Sequence, residues 1–209
     1  MTKKVILFDF DGTLFDTQSA YYECSNQLAL KYRFKMHEDW EKYRDMPAKD
    51  FLFDVLKLSW FQLPFFIADM KKLFQEKIHS VKPFEGIPEL LNELNQFYEL
   101  GIITSNGEYA VKELLTNYEL DYFKYKDFDA SILNKKWCLK RFLSKSKISN
   151  KDVIYIGDEY RDGKACIEAN IDFIAVSWGM NNTEILKEAN PLMVAESPID
   201  ILDYLLTTL

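Results

Sequence analysis

The sequence predicts an α/β protein: a parallel sheet wound with helices and interrupted near its start by a helical insert. Three observations predict it. Val5-Ile6-Leu7-Phe8 is a run of β-forming residues stopped by Gly12-Thr13, as expected of a strand buried on both faces. From Ile87 onward, helical and strand patterns alternate. Between these two regions strand signals give way to a long stretch of helical periodicity.

The helical stretch divides into Ser19 to Tyr32, Glu38 to Arg44, Lys49 to Leu58 and Pro64 to His79. It ends at Lys82-Pro83-Phe84-Glu85-Gly86, whose Pro and Gly punctuate a return to the main body. Further strands are expected at Leu100 to Thr104, Val153 to Ile156, Ile171 to Val176 and Leu192 to Val194. The insert is placed at residues 17–82 and the α/β core at residues 1–16 and 83–209. Trp40, Trp60, Phe61, Phe65 and Phe66 fall within the insert and are expected to fill its core, with part of the Trp60 to Phe66 cluster facing a partner or a cleft.

A chain of 209 residues, 48% of them hydrophobic, can bury a full core. It contains no apolar stretch of 18 residues and no basic segment leading into an apolar run, so a cytoplasmic protein with no membrane partner is expected. Cys24, Cys138 and Cys166 are widely separated and odd in number, the pattern of buried thiols rather than of a disulfide framework or zinc site. The net charge of -7 argues against a nucleic-acid partner, whose phosphates require an extended basic surface. A small anion is compatible with it, because a few local cations suffice.

The chemistry concentrates at strand ends. Asp9 and Asp11 follow the first strand two positions apart, so their side chains start on the same side of an extended chain and Phe10 points away. Two close carboxylates repel each other and lose hydration unless a cation lies between them. Magnesium, hard and oxygen-seeking, suits that position. Leu100 to Asn106 is an apolar strand ending in Thr104, Ser105 and Asn106, whose hydroxyl, amide and backbone N–H groups can hold phosphate oxygens. Asp158 follows another apolar strand, and Asp162 lies one helical turn further on. Lys135 and Lys136 open the helix preceding that strand, where a lysine can reach a phosphate.

Together, Asp9-Phe-Asp11-Gly-Thr-Leu, Thr104-Ser105-Asn106, the lysine pair and Gly157-Asp158-Glu-Tyr-Arg-Asp162 resemble the four signatures of the haloacid dehalogenase-like hydrolase superfamily. The position of the insert resembles a C1 helical cap. Pro83 to Leu91 and Val176-Ser177-Trp178-Gly179 are similar to the phosphoglycolate phosphatase-like subgroup. The resemblance implies a Rossmann-like core and magnesium-dependent hydrolysis of small organic phosphate monoesters through an aspartyl-phosphate, with phosphoglycolate a candidate substrate. It makes Asp9 the nucleophile and Asp11 the general acid and later base. Thr104, Ser105 and Asn106 would bind phosphate, and Lys135, or Lys136 in its place, would neutralise the phosphoryl group. Magnesium would be held by Asp9, the backbone carbonyl of Asp11 and Asp158, with Glu159 or Asp162 orienting bound water. Arg44 stands in the segment that resembles the substrate-facing part of the cap, where it could recognise a second anionic group.

Other readings of the same residues are a dehalogenase, a hexose-phosphate mutase, which shares the aspartyl-phosphate and the cap, and a non-catalytic binding protein. A monomer is expected, with a dimer left open by the Trp60 to Phe66 cluster.

Overall fold

The computed structural model describes residues 5–36, 39, 41–128 and 134–208; Trp40 and the start of the expected segment from Glu38 lie outside them. The expected α/β architecture is present. Six parallel strands, β1 (Val5–Phe8), β4 (Glu99–Ile103), β5 (Phe123–Asp127), β6 (Val153–Gly157), β7 (Asp172–Val176) and β8 (Met193–Ala195), lie in the order β5-β4-β1-β6-β7-β8. A two-stranded antiparallel ribbon is formed by β2 (Phe15–Asp16) and β3 (Lys82–Pro83).

The central strand explains the layers. All four residues of β1 are buried, and its alternation sends them to opposite faces. Ile6 and Phe8 join a core with Leu90, Leu91, Leu114 and Leu205, from α4 (Ile87–Leu94), α5 (Glu108–Asn117) and α9 (Pro198–Thr208). Val5 and Leu7 join a second core with Cys138, Leu139, Ala165 and Cys166, from α6 (Lys135–Ser146) and α7 (Tyr160–Ala169). All three cysteines are buried free thiols. The short helix α8 (Thr183–Lys187) connects β7 to β8.

Strand β5 is absent from the sequence-based expectation, and its burial explains why. Phe123 is buried, Lys124 is exposed and Tyr125 is intermediate. This edge strand carries lysines where a central strand carries aliphatics, and charged edges resist pairing with other chains.

Every described element between β2 and β3 is helical. Here α1 (Gln18–Tyr32) packs along α3 (Leu63–Lys77). The segment expected as a helix over 49–58 is a short α2 (Ala48–Asp50) followed by a π-helical turn, Phe51–Val55, and Glu41–Tyr43 is a single 3₁₀ turn. Leu28, Tyr32, Leu56, Leu58, Leu63 and Phe66 form a cluster of their own at the far end. At the near end, Ala20, Cys24, Phe74 and Ile78 are continuous with the first core, where Tyr21 stacks on Phe74 at 4.4 Å. The aromatic cluster divides: Phe66 is buried, whereas Trp60, Phe61 and Phe65 are exposed.

Gly101 marks the tightest point of the sheet. It pairs with Leu7 on one side and Tyr125 on the other, and a Cβ there would lie 2.6 Å from Leu7 Cδ2 and 2.9 Å from Tyr125 Cβ. Gly101→Ala is therefore expected to lower the unfolding free energy by about 1–3 kcal/mol, the usual cost of overpacking. Urea unfolding of the two proteins checks this, and an unchanged midpoint would contradict the packing described.

Candidate active site

Asp9 continues β1, its N–H donating to Ile156 O at 2.9 Å, and this sets its carboxylate at the carboxyl end of the sheet. Phe10 points the other way and stacks on Phe15 at 4.7 Å. The chain then turns sharply: Leu14 N and Phe15 N both donate to Phe10 O, and Gly12 adopts φ +74°. That conformation favours glycine, and here space requires it too. A Cβ on Gly12 would stand 2.2 Å from Asp158 Oδ2.

Asp158 follows β6 and is fully enclosed. Its Oδ1 accepts from Thr13 Oγ1 at 2.8 Å and its Oδ2 from Met180 N at 2.7 Å. Asp162 lies in the first turn of α7, also buried. Lys135, the first residue of α6, reaches in from the opposite side. Its ammonium donates to Asp9 Oδ2 at 2.7 Å and to Asp162 Oδ1 at 2.6 Å, and it lies 5.1 Å from the Tyr155 ring centroid. The neighbouring Lys136 is exposed and pairs with Glu168, so the geometry distinguishes the two lysines.

The electrostatics follow from burial. Asp11 is pushed up to about 7, first by loss of hydration and then by the charge of Asp9, against hydrogen bonds from Thr17, Asn106 and Thr104 that pull it down. Asp162 is likewise raised to about 7 by burial, with Lys135 opposing. Asp158 is raised by burial and by the surrounding acidic groups, first among them Glu159. For Lys135 burial works against the charge, but Asp162 and Asp9 outweigh it and its pKa rises.

Asp9, Asp158 and Asp162 each present an oxygen within 4.8 Å of the others. Asp162 Oδ2 is buried without a hydrogen-bond partner among the described residues. Three buried carboxylates with an unsatisfied oxygen form a hard donor set that suits a small divalent cation such as magnesium. Asp162, expected to orient water, is thus the third member of this group. The Asp11 side chain is directed elsewhere, accepting from Asn106 Nδ2 at 3.2 Å and from Thr104 Oγ1 at 3.4 Å. Glu159 pairs with Arg161.

Ser105 and Asn106 line a cavity of about 240 Å³ between the strand ends and the helical segment. Thr104, expected beside them as a phosphate contact, is buried beneath, its hydroxyl engaged by Asn106 N and Asp11. Arg44 departs further from the expectation. Its guanidinium donates to the backbone carbonyls of Gly179, at 2.9 Å, and Ser177, at 3.3 Å, and it does not line the cavity. Next to it, Asp45 accepts from Asn182 N at 2.8 Å and from Asn182 Nδ2 at 2.6 Å.

Sequence reasoning missed Thr13, Thr17 and Arg161. The two threonines are in the quoted first motif or next to it, but only coordinates show which carboxyl each one serves. Arg161 lies inside the Gly157 to Asp162 run and lines the cavity.

The model of the haloacid dehalogenase-like hydrolase family matches residues 6–176, which takes in every acidic residue of the cluster. The chain belongs to that family. It is 26% identical over 203 residues to a phosphoglycolate phosphatase of Synechococcus elongatus, covering 95% of each chain. To Pyrophosphatase PpaX of Oceanobacillus iheyensis it is 24% identical over 210 residues, covering 97% of this chain and 96% of the other. Both relatives are phosphatases by name, and this chain is an enzyme of that class. Among solved structures, a predicted phosphatase from Clostridium acetobutylicum superposes with a TM-score of 0.87 at 23% identity, covering all of both chains. A haloacid dehalogenase-like family protein from Streptococcus pneumoniae superposes with a TM-score of 0.84 at 24% identity, covering 98% of this chain and all of the other. These two establish the fold.

Arg44 donates to backbone carbonyls, so Arg44→Ala should weaken turnover of charged and neutral phosphates by the same factor, about 10- to 100-fold for a lost charged hydrogen bond. Comparing kcat/KM for a carboxylated and an uncharged ester checks it. A loss confined to the carboxylated ester would restore Arg44 to substrate recognition.

Proposed function

We propose that this enzyme hydrolyses small organic phosphate monoesters in a magnesium-dependent reaction, through an aspartyl-phosphate formed on Asp9. The observation that carries the proposal is the pairing of Asp9 with the buried Lys135 ammonium while Asp11, on the same turn, has a carboxyl raised to about 7. One carboxylate is held next to a fixed positive charge, and the other can carry a proton near neutral pH.

In this scheme an Asp9 oxygen attacks phosphorus and the bond from phosphorus to the ester oxygen breaks. Asp11 gives its proton to the departing alkoxide. Water, giving a proton back to Asp11, then attacks the phosphorus of the aspartyl-phosphate and releases inorganic phosphate and free Asp9. Lys135 balances negative charge on the phosphoryl oxygens, and Ser105, at the cavity wall, donates to them. Asp9, the backbone carbonyl of Asp11 and Asp158 would hold magnesium, which when bound supplies the charge that lets an anionic phosphate approach a cluster of carboxylates, with Asp162 adjoining.

Residues 17–82 serve as a cap over a core made of 1–16 and 83–209, with the β2–β3 ribbon as the double crossing between them. The cavity lies between these two parts, so substrate is small and soluble; neither a nucleic acid nor a membrane takes part. Among the described residues no helix is long and apolar enough to cross a membrane. A monomer in the cytoplasm fits this reading. The substrate in the name of the Synechococcus elongatus relative, phosphoglycolate, belongs in any panel of esters.

Asp9→Asn should abolish both phosphate release and acid-labile phosphoenzyme, a loss of about 10³-fold or more. Asp11→Asn should slow leaving-group protonation, hydrolysis of the phosphoenzyme, or both. Rapid-quench labelling with mass analysis separates the two variants, and a fully active Asp9→Asn protein, checked for deamidation, would falsify the assignment. Thorough chelation should remove turnover while circular dichroism stays unchanged, and added magnesium should restore it. Undiminished turnover after chelation would reject the metal requirement.

A further inference from the structure

The cavity has two unlike halves. Its floor is the reaction centre, with Asp11, Ser105, Asn106 and Asp158. Its roof is supplied by the helical segment and is largely apolar: Tyr21, Met46, Phe51, Leu52, Ile67 and Met70. Two polar groups of α1 interrupt that roof. Ser25 is only 5% exposed and its Oγ has no hydrogen-bond partner among the described residues; Gln18 Nε2 is also buried without one. Both residues line the cavity, seven positions apart and so on one face of α1.

Buried donors without partners are costly, and both residues belong to the wall of the space where a leaving group must sit. Ser25 Oγ and Gln18 Nε2 can both donate, so the complementary group is an acceptor oxygen of a hydroxyl, carbonyl or carboxylate, and the surrounding roof decides among these. The size is also informative. An apolar cavity of about 150 Å³ holds one benzene ring. The ≈ 240 Å³ present here therefore suits a single ring plus a phosphoryl group.

Resting on the phosphatase reading above, we infer that the substrate is a phosphate monoester whose leaving group is one apolar ring or its aliphatic equivalent, bearing an uncharged oxygen acceptor read by Ser25 and Gln18. A second anion, as in phosphoglycolate, is disfavoured because most of the roof would strip it of water without replacing its hydrogen bonds. Among the described residues, two cations reach the cavity. Arg161 is paired with Glu159, and Lys71 lies at its edge, lining an outer groove with Gln75 and Lys112 as well. Lys71 is where a carboxylated substrate would have to place its charge, which makes phosphoglycolate the decisive competitor.

Benzyl phosphate is a suitable probe, because its leaving alkoxide is an alkyl one like that of phosphoglycolate, so rate differences report recognition more than intrinsic reactivity. Initial rates with magnesium would be compared for phosphoglycolate, benzyl phosphate and the 3-hydroxy and 3-hydroxymethyl derivatives of benzyl phosphate. The benzyl esters are expected to exceed phosphoglycolate in kcat/KM, and at least one derivative to exceed benzyl phosphate by about five- to tenfold, the worth of one hydrogen bond. Ser25→Ala and Gln18→Leu should each shrink that hydroxyl advantage. Melting temperatures confirm that both variants are folded, and either alone suffices if the other is not.

Phosphoglycolate turned over faster than every benzyl ester would overturn this inference while leaving the phosphatase reading intact. A hydroxyl advantage that is absent, or that survives both substitutions, would overturn the assignment to Ser25 and Gln18. No phosphate released from any of the esters would overturn both readings together.

Discussion

The structure depends on how four carboxyl groups are kept at one end of a sheet. Asp9, Asp11, Asp158 and Asp162 converge because β1 and β6 are neighbours in register and end together, and because α7 returns over the end of β6. Each would lose hydration that nothing apolar can replace. Lys135 is the group that makes the arrangement tenable, bridging Asp9 and Asp162 and thereby joining two segments far apart in sequence. For that bridge α6 must begin at a fixed place, and Asn134 fixes it: its side chain accepts from Trp137 N at 3.2 Å, capping the first turn. The hydrophobic face of α6, through Cys138, Leu139 and Phe142, then anchors the helix on the second core. Packing and charge balance thus place the same helix, and neither alone would bring the ammonium between the carboxylates.

The loop after β7 couples this centre to the helical segment. Met180 N holds Asp158, Asn181 Oδ1 accepts from Tyr160 N at 2.7 Å at the start of α7, and Trp178 Nε1 donates to Thr13 O at 3.1 Å. Its outer side receives Arg44 and Asp45. A single stretch from Ser177 to Asn182 therefore touches the first motif, an acidic group of the cluster and, through Arg44 and Asp45, the helical segment. One backbone segment thus stands between the 44–45 region and Asp158.

The legible parts of the sequence were those in which composition and position coincide. An apolar run ending in aspartate identifies β1 and β6, since only a strand buried on both faces tolerates such a run and only its end, where the chain leaves the sheet, offers polar partners for the charge. Strand β5 was illegible because an edge strand need satisfy only one face. Lys135 and Lys136 could not be separated, as adjacent helical residues point roughly 100° apart and the rotation of α6 is set by its packing, not by its first two residues. Arg44 reads as a substrate contact because a lone cation in a polar segment carries no mark of its partners, and these include backbone carbonyls more than a hundred positions away. Gln18 and Ser25 carried even less signal: a serine and a glutamine in a helix are ordinary on a solvated face, and only burial makes their lack of partners informative.

The contrast between the two halves of the cavity has a chemical consequence of its own. In water the Coulomb attraction between Lys135 and a phosphoryl oxygen would be small, but it grows as the surrounding dielectric falls. The apolar residues of the helical segment supply that fall, and Lys71 is the one charge that this segment adds among the described lining residues. A leaving group that fills the roof excludes water from the floor at the same time, so fit at the apolar end strengthens the electrostatics at the reactive end. The 44–45 contact with the loop after β7 holds the two halves together while this happens. Selection of the leaving group and stabilisation of charge at phosphorus are then two results of filling one cavity. This gives a physical reason for a phosphatase with a highly charged centre to be roofed by aliphatic and aromatic side chains.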